Sequence, residues 1–371
     1  MTTVVHVTTV HPLKDSRIFY KECASLRDAG YRVVLIAQHE RDETVDGIEV
    51  RALPAPVDRR DRIMRLARLA LERCRSEDAG IYHAHDPELL PKLAQLVKQG
   101  KRVIYDMHEN VVRDMLTKPW LPAVLRPVVS LGTAAGIRRW LNGMAVIFAE
   151  KSYQREYPWI KRGVVVENLP RLEELARIAA EPAEPPAAGY LGSVTDLRGS
   201  LVMLKALALL QDEGRAVAFE CIGPATAEHR AELEAEVARL GLAGVRFHGR
   251  LEPPEAWRVL AACRCGLALL ADIPNYRESY PTKLFEYMGL GLPVVVSGFK
   301  LYRNIVDGAR CGFCVDPADH TKAAAAIRQL VDNPGIAAEM GERGRQAVRA
   351  QHSWKTEEAK LLRLYRELLA D

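Results

Sequence analysis

Residues 278–297 read ESYPTKLFEYMGLGLPVVVS. Ser279 and Tyr280 precede Pro281, and proline is favoured at the first position of a helix, where its missing N–H costs nothing. Thr282 to Met288 then reads as helix. Gly289 and Gly291 stop it, and Pro293 forbids its continuation. Val294, Val295 and Val296 follow as a short buried strand. The stretch is loop, short helix, turn and strand.

Two carboxylates bracket the start of that helix. Glu278 stands just before it and Glu286 lies inside it, eight positions on. Between them are the free N–H groups and positive end of the helix, a ready anion site. Lys283 falls in the first turn, where a positive charge is unfavourable unless an anion is present. A phosphate group resolves that conflict, and the carboxylates can accept hydrogen bonds from hydroxyls on either side of it. A nucleotide-sugar has that layout: ribose hydroxyls, diphosphate, sugar hydroxyls. The spacing alone is equally compatible with an ordinary capped helix carrying two solvated glutamates.

Outward from this stretch, size and composition set bounds. At 371 residues the chain exceeds one ordinary core, so two domains are expected. With 48% hydrophobic and 27% charged residues it reads as a soluble globular protein. No apolar run approaches the roughly 20 residues of a membrane span. The start, MTTVVHVTTVHP, lacks a basic segment ahead of an apolar core, so a cytoplasmic location is expected. Seven cysteines suit reduced thiols better than a disulfide framework. Cys263, Cys265, Cys311 and Cys314 offer four zinc thiolates, but they fall in a buried strand and a turn and read as small buried residues. Residues 1–170 hold 27 Lys and Arg against 21 Asp and Glu, and the rest hold 25 against 27. The basic half hints at an anionic partner surface.

In chain order, 3–10 (TVVHVTTV) is a buried strand, 11–16 a polar loop, 17–29 an amphipathic helix ended by Gly30, and 32–37 a second strand. Strand, helix, strand at this length is a βαβ unit, hence a parallel sheet. Ligands gather at the carboxyl ends of such strands. The loop HPLKDSR at 11–17 is therefore well placed, with Lys14, Asp15 and Arg17 as charged candidates. Helix capping by Asp15 or Ser16 and a solvated Arg17 explain them equally well. GIYHAHD (80–86) and KRVIYDMHEN (101–110) are further strands emerging into polar clusters, which makes Asp86, His108, Glu109 and Asn110 candidates.

Residues 57–75 form the most basic helix, with an apolar stripe through Ile63, Leu66, Ala67, Ala70 and Leu71. The segment 117–141 carries Trp120, Trp140 and several basic residues. Stretches 59–75 and 117–141 are candidates for contact with an anionic membrane surface; an Arg-rich solvated face is the plain alternative. EPAEPPAAG, within 171–188, reads as a linker. Beyond it, GYLGS (189–193) opens a second alternation of strands and helices, hence a second doubly wound sheet. The G-x-G-x-x-G dinucleotide spacing is absent there. A segment at 272–277 (DIPNYR) reads as a loop delivering Glu278.

Glu, seven residues, Glu, then an aromatic-Met-Gly-x-Gly-x-Pro-Val-Val run resembles the signature of the retaining glycosyltransferases of family 4. The likeness extends over nearly the whole chain, best at 189–320 and in the first half mainly at 4–30 and 101–110. It implies a GT-B fold, an α/β architecture of two Rossmann-like doubly wound parallel-sheet domains facing across a cleft. The implied division is an acceptor-side domain at 1–170, a linker at 171–188, a nucleotide-sugar domain at 189–351, and a terminal helix at 352–371 docking back on the first domain.

The resemblance also implies roles. Glu278 would hold the donor sugar, Glu286 the ribose, and His108, from the D-x-H-E run, would lie against the sugar. Arg250 and Leu251 match the backbone that reads the base. Family members commonly carry Gly-Arg and then Lys-Gly toward the diphosphate; this chain has Gly192-Ser193 and Arg198-Gly199, so the first cation is missing. Lys283 is inferred to replace it, with Arg198, Ser193 and Thr282 completing the donor site. Asp15, Arg17, Asp86, Glu109 and Asn110 become acceptor-side candidates.

The expected activity is metal-independent retaining transfer from a nucleoside diphosphate sugar, UDP favoured over GDP, to a saccharide or polyprenyl-linked saccharide in bacterial surface polysaccharide synthesis. No cofactor, no metal and no nucleic-acid partner are expected, and a peripheral position on the inner face of the plasma membrane is compatible. No carboxylate stands out as a nucleophile, so no covalent glycosyl–enzyme is expected. A nucleotide-sugar epimerase and a non-catalytic nucleotide-sugar or membrane-surface binding protein are the alternatives.

Overall fold

The structure is a computed structural model describing residues 1–117 and 121–371. The chain forms two compact units, one of Met1–Asn168 with Lys355–Asp371, the other of Leu169–Trp354. Lys118, Pro119 and Trp120, part of the expected membrane-facing stretch, lie outside the described residues.

Unit 1 is built on eight strands: β1 (Thr3–Pro12), β2 (Arg32–Gln38), β3 (Glu43–Val45), β4 (Ile48–Leu53), β5 (Ile81–Ala84), β6 (Arg102–Met107), β7 (Ala145–Phe148) and β8 (Gly163–Val165). Their order in the sheet is β3-β4-β2-β1-β5-β6-β7-β8, parallel except for the β3–β4 pair. Val4, Val5, Val34, Ile36, Ile104 and Ile147 are wholly buried, as expected of strands covered on both faces. Two stretches without an assignment from sequence, 43–53 and 87–98, form structure. The first is a hairpin turned by Asp46 and Gly47, both with positive φ (49° and 78°). The second is a short turn Pro87–Leu89 running into the helix Leu90–Lys98, which buries Leu90, Leu93 and Leu96. The terminal helix Trp354–Ala370 contributes Tyr365 to this unit's core.

Unit 2 has six parallel strands: β9 (Ala187–Leu191), β10 (Ala218–Ile222), β11 (Val245–Gly249), β12 (Cys265–Ala268), β13 (Val294–Ser297) and β14 (Gly312–Val315), ordered β11-β10-β9-β12-β13-β14. The stretch read as a linker is partly packed chain. Leu172 and Leu175, on the helix Leu172–Leu175, are buried against the 282–290 helix, and β9 begins at Ala187. That helix, Thr282–Leu290, passes through Gly289 instead of stopping there. A Cβ on Gly289 would lie 2.5 Å from Leu175 Cδ1, so this glycine admits a packing partner. Gly291, at φ 77°, is the residue that ends the helix. The expected loop at 272–277 is instead a short helix, Pro274–Glu278, started by the proline and tied down by Tyr302, whose hydroxyl donates to the Tyr276 carbonyl at 2.9 Å.

Candidate functional site

In unit 2 the carboxyl ends of β9 and β10 finish in Gly192 and Gly223, with φ of 122° and 140°. Gly192 N–H donates to Ile222 O at 2.9 Å, and Gly223 N–H donates to Gly249 O at 2.7 Å. A Cβ on Gly223 would fall 1.9 Å from Gly192 O. The two turns therefore pack backbone on backbone and leave a floor without side chains at the strand ends, where parallel sheets bind ligands.

Two cations stand over this floor. A Cβ on Gly192 would lie 3.1 Å from Lys283 Nζ and 3.5 Å from Arg198 Nη1. Lys283 is 6% exposed, and its ammonium sits 3.8 Å from the Tyr190 ring centre with no hydrogen-bond partner among the described residues. Burial, and then the charge of Arg198, hold its pKa well below the usual lysine value. Such a group suits an incoming anion. Tyr287, one turn further along the helix, donates its hydroxyl to Leu267 O at 3.1 Å and accepts from Leu191 N–H at 2.8 Å, bracing the strand that ends in Gly192.

Glu286 lies three residues after Lys283, and Trp257 Nε1–H donates to its Oε1 at 3.1 Å. Glu278 is exposed at the end of its short helix. Ser193 is exposed, with its carbonyl accepting from the Tyr190 hydroxyl at 2.7 Å. Thr282 opens the 282–290 helix, and Arg250 and Leu251 follow β11 directly. The structure thus brings Lys283, Arg198 and Gly192 together. Tyr190, Gly223 and Trp257 are participants that the sequence reading missed. Gly223 had a signal, since it closes its strand as Gly192 does; Trp257 had none, because its partner lies 29 residues away.

The candidates in unit 1 have different fates. Arg17 is not solvated; it is 3% exposed and crosses the core. Its Nε–H and Nη2–H donate to Asp106 at 2.7 and 2.9 Å, and its Nη1–H donates to Val166 O at 2.9 Å. Burial raises the Asp106 carboxyl, but Arg17 and then His108 outweigh it and hold the group well below the carboxylate range. Asp15 takes the capping role, accepting from Arg17 N–H and Ile18 N–H at 2.8 and 3.0 Å.

Asp86, 1% exposed, accepts from the Thr8 hydroxyl at 3.0 Å and from Val10 N–H at 3.3 Å. Asn110 is fully buried, donating to Glu156 Oε2 at 2.6 Å and accepting from the Tyr157 hydroxyl at 2.9 Å. Arg17, Asp86 and Asn110 therefore shape the strand-end loops and leave almost no surface for an acceptor. Glu109 is exposed and His108 half-buried. His108 Nε2 lies 2.9 Å from Asp106 Oδ2. An ionised carboxylate only accepts, so Nε2 carries a proton toward Asp106.

Comparison with known proteins fits this geometry. Residues 173–347, within unit 2, match the family described as Glycosyl transferases group 1. D-inositol 3-phosphate glycosyltransferase of Corynebacterium jeikeium is 30% identical over 195 residues, covering 50% of this chain and 45% of that protein. MMP alpha-(1->4)-mannosyltransferase of Mycolicibacterium hassiacum is 28% identical over 177 residues, covering 47% and 41%. The match thus spans less than half the length of these curated relatives. Among solved structures, sucrose-phosphate synthase from Thermosynechococcus elongatus superposes with a TM-score of 0.77 at 17% identity, over 100% of both chains. Anabaena HepE, in complex with UDP and glucose, superposes with a TM-score of 0.73 at 14% identity, over 99% of this chain and 100% of that one. The fold is GT-B, two Rossmann-like parallel-sheet units.

Proposed function

We propose that this chain, whose residues 173–347 match the glycosyl transferases group 1 family, is a retaining family-4 glycosyltransferase that uses a nucleoside diphosphate sugar. The observation that carries the reading is the buried Lys283 ammonium, without a hydrogen-bond partner among the described residues and beside Arg198 over the Gly192 backbone. A diphosphate supplies the missing partner, and stabilising that leaving group is what a transferase of this kind must do. Lys283, Arg198 and the Pro281–Lys283 helix end do so without a metal ion. Glu286, oriented by Trp257, takes the ribose, and Glu278 holds the sugar. Thr282 and Ser193 complete the phosphate surroundings, and Arg250 and Leu251 flank the base. UDP is favoured over GDP.

The acceptor is a saccharide or polyprenyl-linked saccharide presented at an anionic membrane surface. Val124, Leu125, Val128 and Leu131 are 82%, 48%, 69% and 74% exposed, and Arg138 and Arg139 follow on the helix Arg126–Trp140. An apolar stripe continued by cations suits an anionic lipid interface. Among the described residues no helix is long and apolar enough to cross a membrane.

Calorimetric titration with UDP and with GDP, with and without magnesium, tests the reading. Binding of one nucleotide unaffected by magnesium, with slow hydrolysis of its sugar derivative in the absence of acceptor, is the expected result. Binding of neither removes the proposal.

A further inference from the structure

The core of unit 1 contains buried carboxylate and imidazole atoms that have no hydrogen-bond partner among the described residues. Arg17 is committed to Asp106 and to Val166 O. Glu22 is wholly buried beside it, with Oε1 3.0 Å from Arg17 Nε, but that N–H is directed at Asp106. Neither Glu22 oxygen has a hydrogen-bond partner among the described residues. One guanidinium therefore faces two buried carboxylates. Three buried imidazoles, His6, His83 and His85, stand with Glu22. Glu22 Oε2 lies 4.0 Å from His6 Nδ1 and 3.9 Å from His85 Nδ1. His83 Nε2 is also buried without a hydrogen-bond partner among the described residues. Orphaned polar atoms in a closed core are rare, and an ion is one of the few ways to satisfy them.

We propose that His6, Glu22, His83 and His85 bind a divalent transition-metal ion, Zn²⁺ or an ion of similar preference. One donor atom from each of the four lies within 4.8 Å of the others, and His6 Nδ1 and His85 Nε2 are 2.9 Å apart. Tetrahedral zinc with nitrogen bonds of about 2.0–2.1 Å spaces its ligands roughly 3.3 Å apart, within this range. Three imidazoles and one carboxylate suit zinc, iron or nickel better than magnesium or calcium.

The surroundings match those of ligating histidines, which pass their second N–H to a fixed acceptor. With His6 bound through Nδ1 and His83 through Nε2, the remaining nitrogens both face the Tyr365 hydroxyl, at 3.1 and 2.8 Å. With His85 bound through Nε2, its Nδ1 lies 3.2 Å from His108 Nε2 and 3.6 Å from Asp106 Oδ2, so the hydroxyl of Tyr365 fixes two of the three imidazoles and the His85 ring is set by packing. The scaffold is rigid: His6 and His83 are register partners on adjacent parallel strands, and Glu22 comes from the helix Ile18–Cys23. The ion gives Glu22 the partner that Arg17, committed to Asp106, does not supply. It is a structural ion of unit 1 and takes no part in the transfer reaction proposed above.

The test is metal analysis of the untagged full chain, followed by Zn²⁺ titration of chelator-stripped protein with thermal melting as the readout. About one zinc per chain, and a melting temperature that rises with Zn²⁺ and falls back with EDTA, are expected. Glu22→Gln and His83→Gln should each lower zinc affinity more than about 100-fold, and Tyr365→Phe, which supplies no ligand atom but removes the acceptor for His6 and His83, by about 10–100-fold. Co²⁺ should give the strong visible absorption of a four-coordinate site in the unsubstituted chain. This last measurement stands even if the variants fail to fold. A stripped, folded chain whose melting temperature ignores Zn²⁺ and which shows no such Co²⁺ absorption overturns the proposal and leaves a proton on Glu22 as the answer to the charge. Zinc uptake that is unchanged in both Glu22→Gln and His83→Gln also overturns it.

Discussion

Replacing Lys283 by methionine should move stability and nucleotide affinity in opposite directions. In the free protein the ammonium is 6% exposed, lacks a hydrogen-bond partner among the described residues, and has the Tyr190 ring 3.8 Å away. A buried polar group left unpartnered costs roughly 1–3 kcal/mol, and a cation over a tyrosine face returns about 0.5–2 kcal/mol. Methionine keeps the length of the side chain and removes the charge. The net expectation is a gain of about 1 kcal/mol, which for a unit of this size raises the melting temperature by about 2–4 °C. The nucleotide loses a charge-assisted hydrogen bond worth about 1.5–3 kcal/mol, so UDP affinity should fall by about 10–150-fold. Melting curves and calorimetric titration of the two proteins measure both quantities. A variant that binds UDP as tightly as the parent makes Lys283 a packing residue. A variant that loses stability and affinity together makes it a structural cation. Either result refutes the reasoning.

Proton linkage gives a second check on the same group. Burial and then Arg198 lower the pKa of Lys283 from 10.5, so the strain is present wherever both folded and unfolded chains are protonated and is relieved as pH rises toward 10.5. A bound diphosphate restores the charge, so UDP binding should take up protons, and affinity should fall as pH rises through that window. Calorimetry in buffers of different ionisation enthalpy reads the uptake, and its absence at every pH up to 10.5 contradicts the assignment.

Glu286→Ala should weaken UDP binding by about 10-fold or more while Glu278→Ala spares it and loses turnover; the reverse pattern exchanges the two roles. Gly223→Ala places a Cβ 1.9 Å from Gly192 O at a φ of 140°, so unit 2 should lose about 3 kcal/mol or more together with UDP binding; a parental melting curve would sink the backbone-floor account. Arg17→Met leaves Asp106 and Glu22 buried without their guanidinium and should cost about 3–5 kcal/mol in urea unfolding; a loss below about 1 kcal/mol would show that Arg17 is not the anchor described.

The parts of the site that were legible in advance are those whose physics is local. Proline at 281, a lysine in the first helical turn and a glycine at 291 are each decided by backbone geometry or by the helix end itself, within a few residues. The strand ends at Gly192 and His108 followed from alternation, because a βαβ chain must place its loops at the carboxyl edge of its sheet. Where the reading failed, the deciding partner was remote. Arg17 reads as a solvated loop residue until Asp106, 89 positions away, is folded against it. Gly289 reads as a helix stop until Leu175 packs on it. The loop at 272–277 is a helix partly because Tyr302 holds it from the far side.

By itself, the sequence determined two runs of alternating strands and helices, the start of the anion-facing helix and which charged residues lie at strand ends. Those depend on periodicity and turn chemistry, which act over one or two turns of chain. Only the tertiary structure decided which of those charges are partnered. It joined Arg17 to Asp106, left Lys283 without a hydrogen-bond partner among the described residues, and closed His6, Glu22, His83 and His85 into one cluster. Partnering is a matter of distance and burial between residues that the chain order keeps far apart, and desolvation acts only once they are inside.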